Sequence, residues 1–153
     1  MLGLEKCVIK DKTGALTILK SAKAQFKFDS LGLSSGTVSD FGCYWLNKKG
    51  TLMKTHCFDN GADYFQDGLA RYIDDKGKFG FMNEKLQIKI PAQYSFAFPF
   101  EYGNAKVCNG CAPLKGKATD HSIIDGGKWQ IIDKTGKLVK DCSNAKREYQ
   151  CSR

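Results

Sequence analysis

Apolar and polar residues alternate along this chain in short runs, and each run leads into a turn made of Asp or Asn, lysine and usually glycine. The runs are Lys6-Cys7-Val8-Ile9, Cys43-Tyr44-Trp45-Leu46, Phe79-Gly80-Phe81-Met82 and Trp129-Gln130-Ile131-Ile132. The turns that follow are Asp11-Lys12-Thr13-Gly14, Asn47-Lys48-Lys49-Gly50, Asn83-Glu84-Lys85-Leu86 and Asp133-Lys134-Thr135-Gly136. A second apolar run then returns, as in Ala15-Leu16-Thr17-Ile18-Leu19, Thr51-Leu52-Met53, Gln87-Ile88-Lys89-Ile90 and Lys137-Leu138-Val139. This pattern predicts β-hairpins: the Asp or Asn side chain starts the turn through its own hydrogen bonds, and glycine takes the positive-φ position that closes it. The first three turns are 36 residues apart and the last follows after 50. A third segment repeats too, Gly68-Leu69-Ala70-Arg71-Tyr72-Ile73 matching Gly103-Asn104-Ala105-Lys106-Val107, with Gly32-Leu33 one period upstream. Each unit therefore holds roughly three short strands. Long helical periodicity is absent, and only the tail from Cys142 to Arg153 offers a helical turn. A regular period of this length marks a repeat architecture.

The residues also carry a resemblance. The run from Gly127 to Lys137 resembles the core of bacterial WG repeats, as does Phe65-Gln66-Asp67-Gly68-Leu69-Ala70 followed by the run from Gly77 to Asn83. Ile90-Pro91-Ala92-Gln93-Tyr94 and Pro99-Phe100-Glu101-Tyr102-Gly103 resemble the segment that links consecutive units. The likeness is clear from about residue 40 to 140 and weaker in the first unit. The eponymous Trp-Gly pair is nowhere intact: it reads Trp129-Gln130 in one unit and Phe79-Gly80 in another, with Cys7 and Cys43 in the Trp column of the first two. The resemblance implies a β-repeat protein, commonly bacterial, without shared catalytic residues. The expected fold is all-β: tandem β-hairpin repeats stacked as a short solenoid or partial propeller, a single domain over residues 1–153. It would contain about three to four units with cores near 7–19, 43–54, 79–90 and 129–139, and an inserted loop at 108–127 where the last interval lengthens.

Length and composition narrow the class. A chain of 153 residues with 42% hydrophobic content builds one domain with a real core. No apolar run reaches membrane-spanning length. The opening Met1-Leu2-Gly3-Leu4-Glu5-Lys6 is too short and too soon charged for a secretory signal. Taken as written this predicts a cytoplasmic protein, with a periplasmic or secreted one as the alternative if a leader was removed. The net charge of +8 favours acidic partners, yet it is spread along the chain without a basic arm.

Candidate chemistry is sparse. Gly32-Leu33-Ser34-Ser35-Gly36 fits a nucleophile-elbow spacing, but no helix follows it and Gly32 already has a place in the repeat. Cys108-Asn109-Gly110-Cys111 lies in the inserted loop and admits three readings. One is a local disulfide between Cys108 and Cys111, or two free thiols. A second is a zinc site drawing on Cys108, Cys111, His121 and Cys142, although a second CxxC is missing. The third is a thiol redox site, which lacks the helix N-terminus it needs. Cys7 and Cys43 share a column, so stacking could bring them within bonding reach; the alternative is that both are small buried hydrophobes. Cys142 and Cys151 could tie down the tail. Seven cysteines cannot all pair internally. Tyr94, Phe96, Phe98, Phe100 and Tyr102 alternate with other residues, so in one strand all five rings would share a face, as core or as a stacking platform. Lys12, Lys48 and Lys134 fall in one turn column, with Lys49 and Lys85 beside it, which predicts a basic rim. No cofactor is expected. The expected function is a non-enzymatic protein-binding module whose partner, unidentified, offers an acidic surface. Nucleic acid or another polyanion on the lysine rim is the second choice, and a thiol oxidoreductase using Cys108 and Cys111 the third.

Overall fold

The computed structural model describes residues 2–13, 15–39, 41–114 and 123–152, and these form an all-β protein of open sheets. The first unit contains β1 (Leu2–Gly3), β2 (Val8–Lys10) and β3 (Leu16–Ile18), followed by a 3-10 helix, Lys20–Gln25. The second is β4 (Leu33–Val38), β5 (Gly42–Asn47) and β6 (Leu52–Thr55), trailed by a small hairpin of β7 (Cys57–Phe58) and β8 (Gly61–Ala62). The third is β9 (Leu69–Ile73), β10 (Phe79–Asn83) and β11 (Ile88–Tyr94). The fourth starts with β12 (Phe96–Ala97) and β13 (Asn104–Asn109). It then inserts β14 (Ala112–Pro113) and β15 (Ile124–Asp125) before β16 (Lys128–Asp133) and β17 (Leu138–Cys142). A seven-stranded sheet runs β1-β4-β5-β6-β9-β10-β11, so units two and three are joined edge to edge. Unit four makes its own sheet, β12-β13-β16-β17.

One turn geometry recurs at Asp11, Asp29, Asn47, Asp74, Asn83 and Asp133. In each, the side-chain oxygen accepts the N–H four residues on at 2.8–3.0 Å. Among the described residues, the one three after the Asp or Asn has positive φ at five of these turns: Gly32, Gly50, Gly77, Gly136 and, unusually, Leu86 at 58°. A leucine there costs conformational energy, and its side chain recovers it by lying buried against Met82 and Leu33 in one core cluster. The sequence pattern exposed four of these turns. Asp29-Ser30-Leu31-Gly32 and Asp74-Asp75-Lys76-Gly77 are of the same kind but depart from the lysine pattern of the others.

Three strands per unit has a geometric consequence. Every neighbouring pair from β4 to β11 is antiparallel, including the junction of β6 with β9 at Thr55 and Tyr72. β5 and β10 lie three steps apart and so run in opposite directions. The Asn47 turn after β5 and the Asn83 turn after β10 therefore leave opposite ends of the sheet.

The main core lies where units three and four meet. Phe79 and Trp129, equivalent positions in the two units, belong to one buried cluster with Phe81, Phe96, Phe100 and Val107. Phe81 and Phe100 meet edge to face at 4.6 Å. Gly80 is required by close approach: a Cβ there would sit 2.5 Å from the Ile90 carbonyl oxygen and 2.5 Å from the Tyr72 ring. The Tyr72 side chain crosses Gly80, and its hydroxyl accepts the Ala92 N–H at 2.7 Å. In unit four Val107 stands opposite Gln130 where Tyr72 stands opposite Gly80, so the glycine is no longer needed.

One expectation is corrected here. The five alternating aromatics do not form one strand: β11 ends at Tyr94, β12 covers only Phe96–Ala97, and the chain then turns. Tyr94, Phe96 and Phe100 are buried and Phe98 packs on the same core, but Tyr102 sits on a two-residue turn, 87% exposed. Pro99, which has no N–H for a ladder, falls where the strand stops. The tail holds a short 3-10 turn, Glu148–Gln150, in keeping with the helical turn that its sequence offers.

Candidate functional site

Two features stand apart from the repeating scaffold. The first is a cleft of about 670 Å³ where units one, two and three converge. Its floor comes from β5 and β6, where Tyr44 and Lys54 are direct cross-strand partners and so share a face of the sheet. One wall is the β2–β3 hairpin with Lys10, Thr13 and Leu16; the other is the turn from Asp74 to Gly77. Phe41 and Ile73 continue the lining into an adjoining hollow of about 820 Å³ over His56 and Phe79. The Lys10 ammonium lies 4.6 Å from the centre of the Phe41 ring, a cation–π contact. Tyr44 is 7% exposed, yet its hydroxyl has no hydrogen-bond partner among the described residues. Burial pushes its phenol above the ordinary value of 10.0, so it stays a donor at neutral pH. Lys54 has no carboxylate partner among the described residues.

The second feature is the insertion in unit four, whose base is a rigid arm. Cys108 and Cys111 are disulfide-bonded, with Cα atoms 6.0 Å apart. The Gly110 N–H donates to the Ser95 hydroxyl at 2.9 Å, and the Gly126 N–H to the Lys146 carbonyl at 3.0 Å. β14 pairs with β15, and the Leu114 N–H reaches the Ile123 carbonyl at 3.0 Å. Leu114 and Ile123, each about half exposed, form an apolar pair at the end of the described part of the arm.

Residues 79–110 match the family model described as WG containing repeat. The matched WG repeat begins at β10 with Phe79-Gly80 and ends in β13, so it takes in the two strands flanking the Asn83 turn and crosses into unit four. No curated protein and no solved structure matches the chain.

The residues singled out from the sequence fare differently. Cys43 is neither a buried free thiol nor a partner of Cys7: it is bonded to Cys57, Cα to Cα 5.3 Å. β5 and β6 carry Cys43 opposite Thr55, two residues before Cys57, so the staple closes the hairpin on itself instead of linking equivalent columns. Cys7 is buried and free. Cys142 and Cys151 are bonded, fastening the tail. Cys108 and Cys111 are thus bonded to each other and Cys142 to Cys151, and His121 lies outside the described residues. The described residues contain no group that could hold a metal ion.

The lysine rim is also revised. Lys48 and Lys85 leave opposite ends of the seven-stranded sheet, Lys12 belongs to the separate β2–β3 pair, and Lys134 to the sheet of unit four. The Gly32-Leu33-Ser34-Ser35-Gly36 run is a turn glycine and the strand β4. The cleft escaped sequence reading because its residues come from three units at unrelated spacings. The Tyr44–Lys54 pair could have been found by folding the Asn47 hairpin on paper and reading across it.

Proposed function

We propose that this protein is a non-enzymatic binding module, a short open array of WG-type units that presents the unit-four arm to a partner protein. The observation that carries this reading is the Leu114–Ile123 pair, an apolar surface held out on a base stapled by Cys108–Cys111. Rigid apolar anchors of this kind lose little conformational freedom on binding, which favours protein contacts. The continuous sheet across units two and three favours an open solenoid-like array over separate propeller blades. Three disulfides favour an oxidising compartment, hence action outside the cytoplasm.

A photo-crosslinker placed at position 112 tests the arm. The wild-type arm should trap a discrete partner, and Leu114→Ser with Ile123→Ser should abolish the adduct while leaving the far-ultraviolet spectrum unchanged. Equal yield from both forms refutes the reading. The rival reading, a polyanion binder on a turn-lysine rim, has less support because the Asn47 and Asn83 turns leave opposite ends of their sheet. It requires affinity that falls steeply with salt, and a flat salt titration removes it.

A further inference from the structure

The cleft between units one, two and three is built from groups that the scaffold does not need in that form. The Tyr44 ring is more than nine-tenths buried, but its hydroxyl, without a hydrogen-bond partner among the described residues, stays accessible at the cleft. Lys54 stands directly across the strand from it, free of any carboxylate among the described residues. Lys10 supplies a second ammonium from the opposite wall, held over Phe41. Three donors, two of them cationic, thus border one hollow. Around them Leu16, Leu52 and Ile73 give apolar lining. At the far lip stand Asp74 and Asp75; Asp74 uses one oxygen to hold its own turn through the Lys76 and Lys78 N–H groups. Those carboxylates oppose any ligand carrying several negative charges across the cleft.

We propose that this cleft binds a monocarboxylate attached to an apolar body, with the carboxylate between the Lys54 ammonium and the Tyr44 hydroxyl and the body along Leu16, Leu52 and Ile73. The volume of about 670 Å³ falls within the ordinary range for small-molecule sites. Charge-assisted hydrogen bonds from Lys54 supply most of the recognition, and Tyr44 fixes orientation. This site is distinct from the unit-four arm and stands whether or not the arm binds a protein.

Isothermal titration of the full chain with 4-phenylbutyrate, 4-phenylbutanol and phenyl phosphate tests it. The carboxylate should bind saturably, and the alcohol and the dianion each about tenfold more weakly. Lys54→Met should raise the dissociation constant for 4-phenylbutyrate about tenfold, and Tyr44→Phe about fivefold. Lys48→Met, on a turn outside the cleft, should leave it unchanged. Amide chemical shifts of the wild type should move at Lys54 and Leu16 on titration, which decides the matter even if Tyr44→Phe fails to fold. Absence of saturable binding, equal binding of the alcohol, or equal losses from Lys54→Met and Lys48→Met would overturn the proposal.

Discussion

Changing Asp63 to alanine removes one half of a buried ion pair and leaves the other half in place. The Arg71 Nη2 is 2.6 Å from one Asp63 carboxylate oxygen, and its Nε and backbone N–H each donate to the other at 2.9 Å. The two side chains are 3% and 1% exposed. Arg71 also donates to the Ala97 carbonyl of unit four at 3.0 Å, and its own carbonyl accepts the Thr55 hydroxyl of unit two at 2.6 Å. The Trp45 indole donates to the Asp63 carbonyl at 2.9 Å. The pair therefore ties three units together. An arginine cannot shed its proton to escape burial. Breaking one partner of a buried pair costs about 3–5 kcal/mol, against a total stability of about 5–15 kcal/mol for a domain. In a chain of this size that lowers the melting temperature by about 6–20 °C. Urea unfolding followed by tryptophan fluorescence measures it. Asp63→Leu combined with Arg71→Met should recover much of the loss, since no lone charge remains. Recovery should be incomplete, because the Ala97 carbonyl and the Arg71 N–H lose partners at about 1–3 kcal/mol each. A cost below about 1 kcal/mol for Asp63→Ala, or a double variant no more stable than the single, would refute this account.

Gly80→Ala should destabilise by about 2 kcal/mol or more, because two of the three atoms its Cβ would strike belong to backbone. Tyr72→Val, the unit-four solution, should rescue it only in part, as read by thermal unfolding. Alkylation followed by mass measurement should find one reactive cysteine, Cys7, in denaturant without reductant, and all seven after reduction. The Ser39 hydroxyl and N–H, both 2.7 Å from the Glu5 carboxylate, hold its pKa below the ordinary value. A lowered folded pKa means stability present above the unfolded value and lost as pH falls through the folded one. Carbon-13 titration should accordingly find Glu5 acidic relative to free glutamate and moved upward by Ser39→Ala.

The hairpins were legible in the sequence because their signal is local. An Asp or Asn oxygen, a glycine and two apolar runs lie within a dozen residues, and each turn in the structure uses those groups. Leu86 shows the limit: the turn survives without glycine because a buried side chain offsets the strain. The CxxC loop was legible as an insertion from its spacing alone. Pairings across units were not. Cys43 meets Cys57 through a strand reversal that column matching ignores, and Asp63, which sits between units and outside the repeat, gave no signal of its buried partner Arg71. Tyr102 was grouped with core aromatics by alternation, which assumes an unbroken strand, whereas a turn residue has no fixed face.

Repetition in sequence does not become repetition of surface in this fold. If each unit contributed an even number of antiparallel strands, every unit would enter the sheet in the same direction and equivalent turns would line one edge. Three strands per unit reverse the direction across the second-to-third junction, so the Asn47 and Asn83 turns look away from each other. Lysines of one sequence column accordingly fall in different sheets: Lys48 in the seven-stranded sheet, Lys12 beside the β2–β3 pair and Lys134 in the sheet of unit four. The junctions are also unequal: the second-to-third junction forms a continuous sheet, whereas the third-to-fourth starts a new one over a shared aromatic core. On the binding reading proposed above, specific contacts come from what only one unit or one junction has. In this chain those places are the stapled arm of unit four and the cleft where Tyr44 and Lys54 stand side by side.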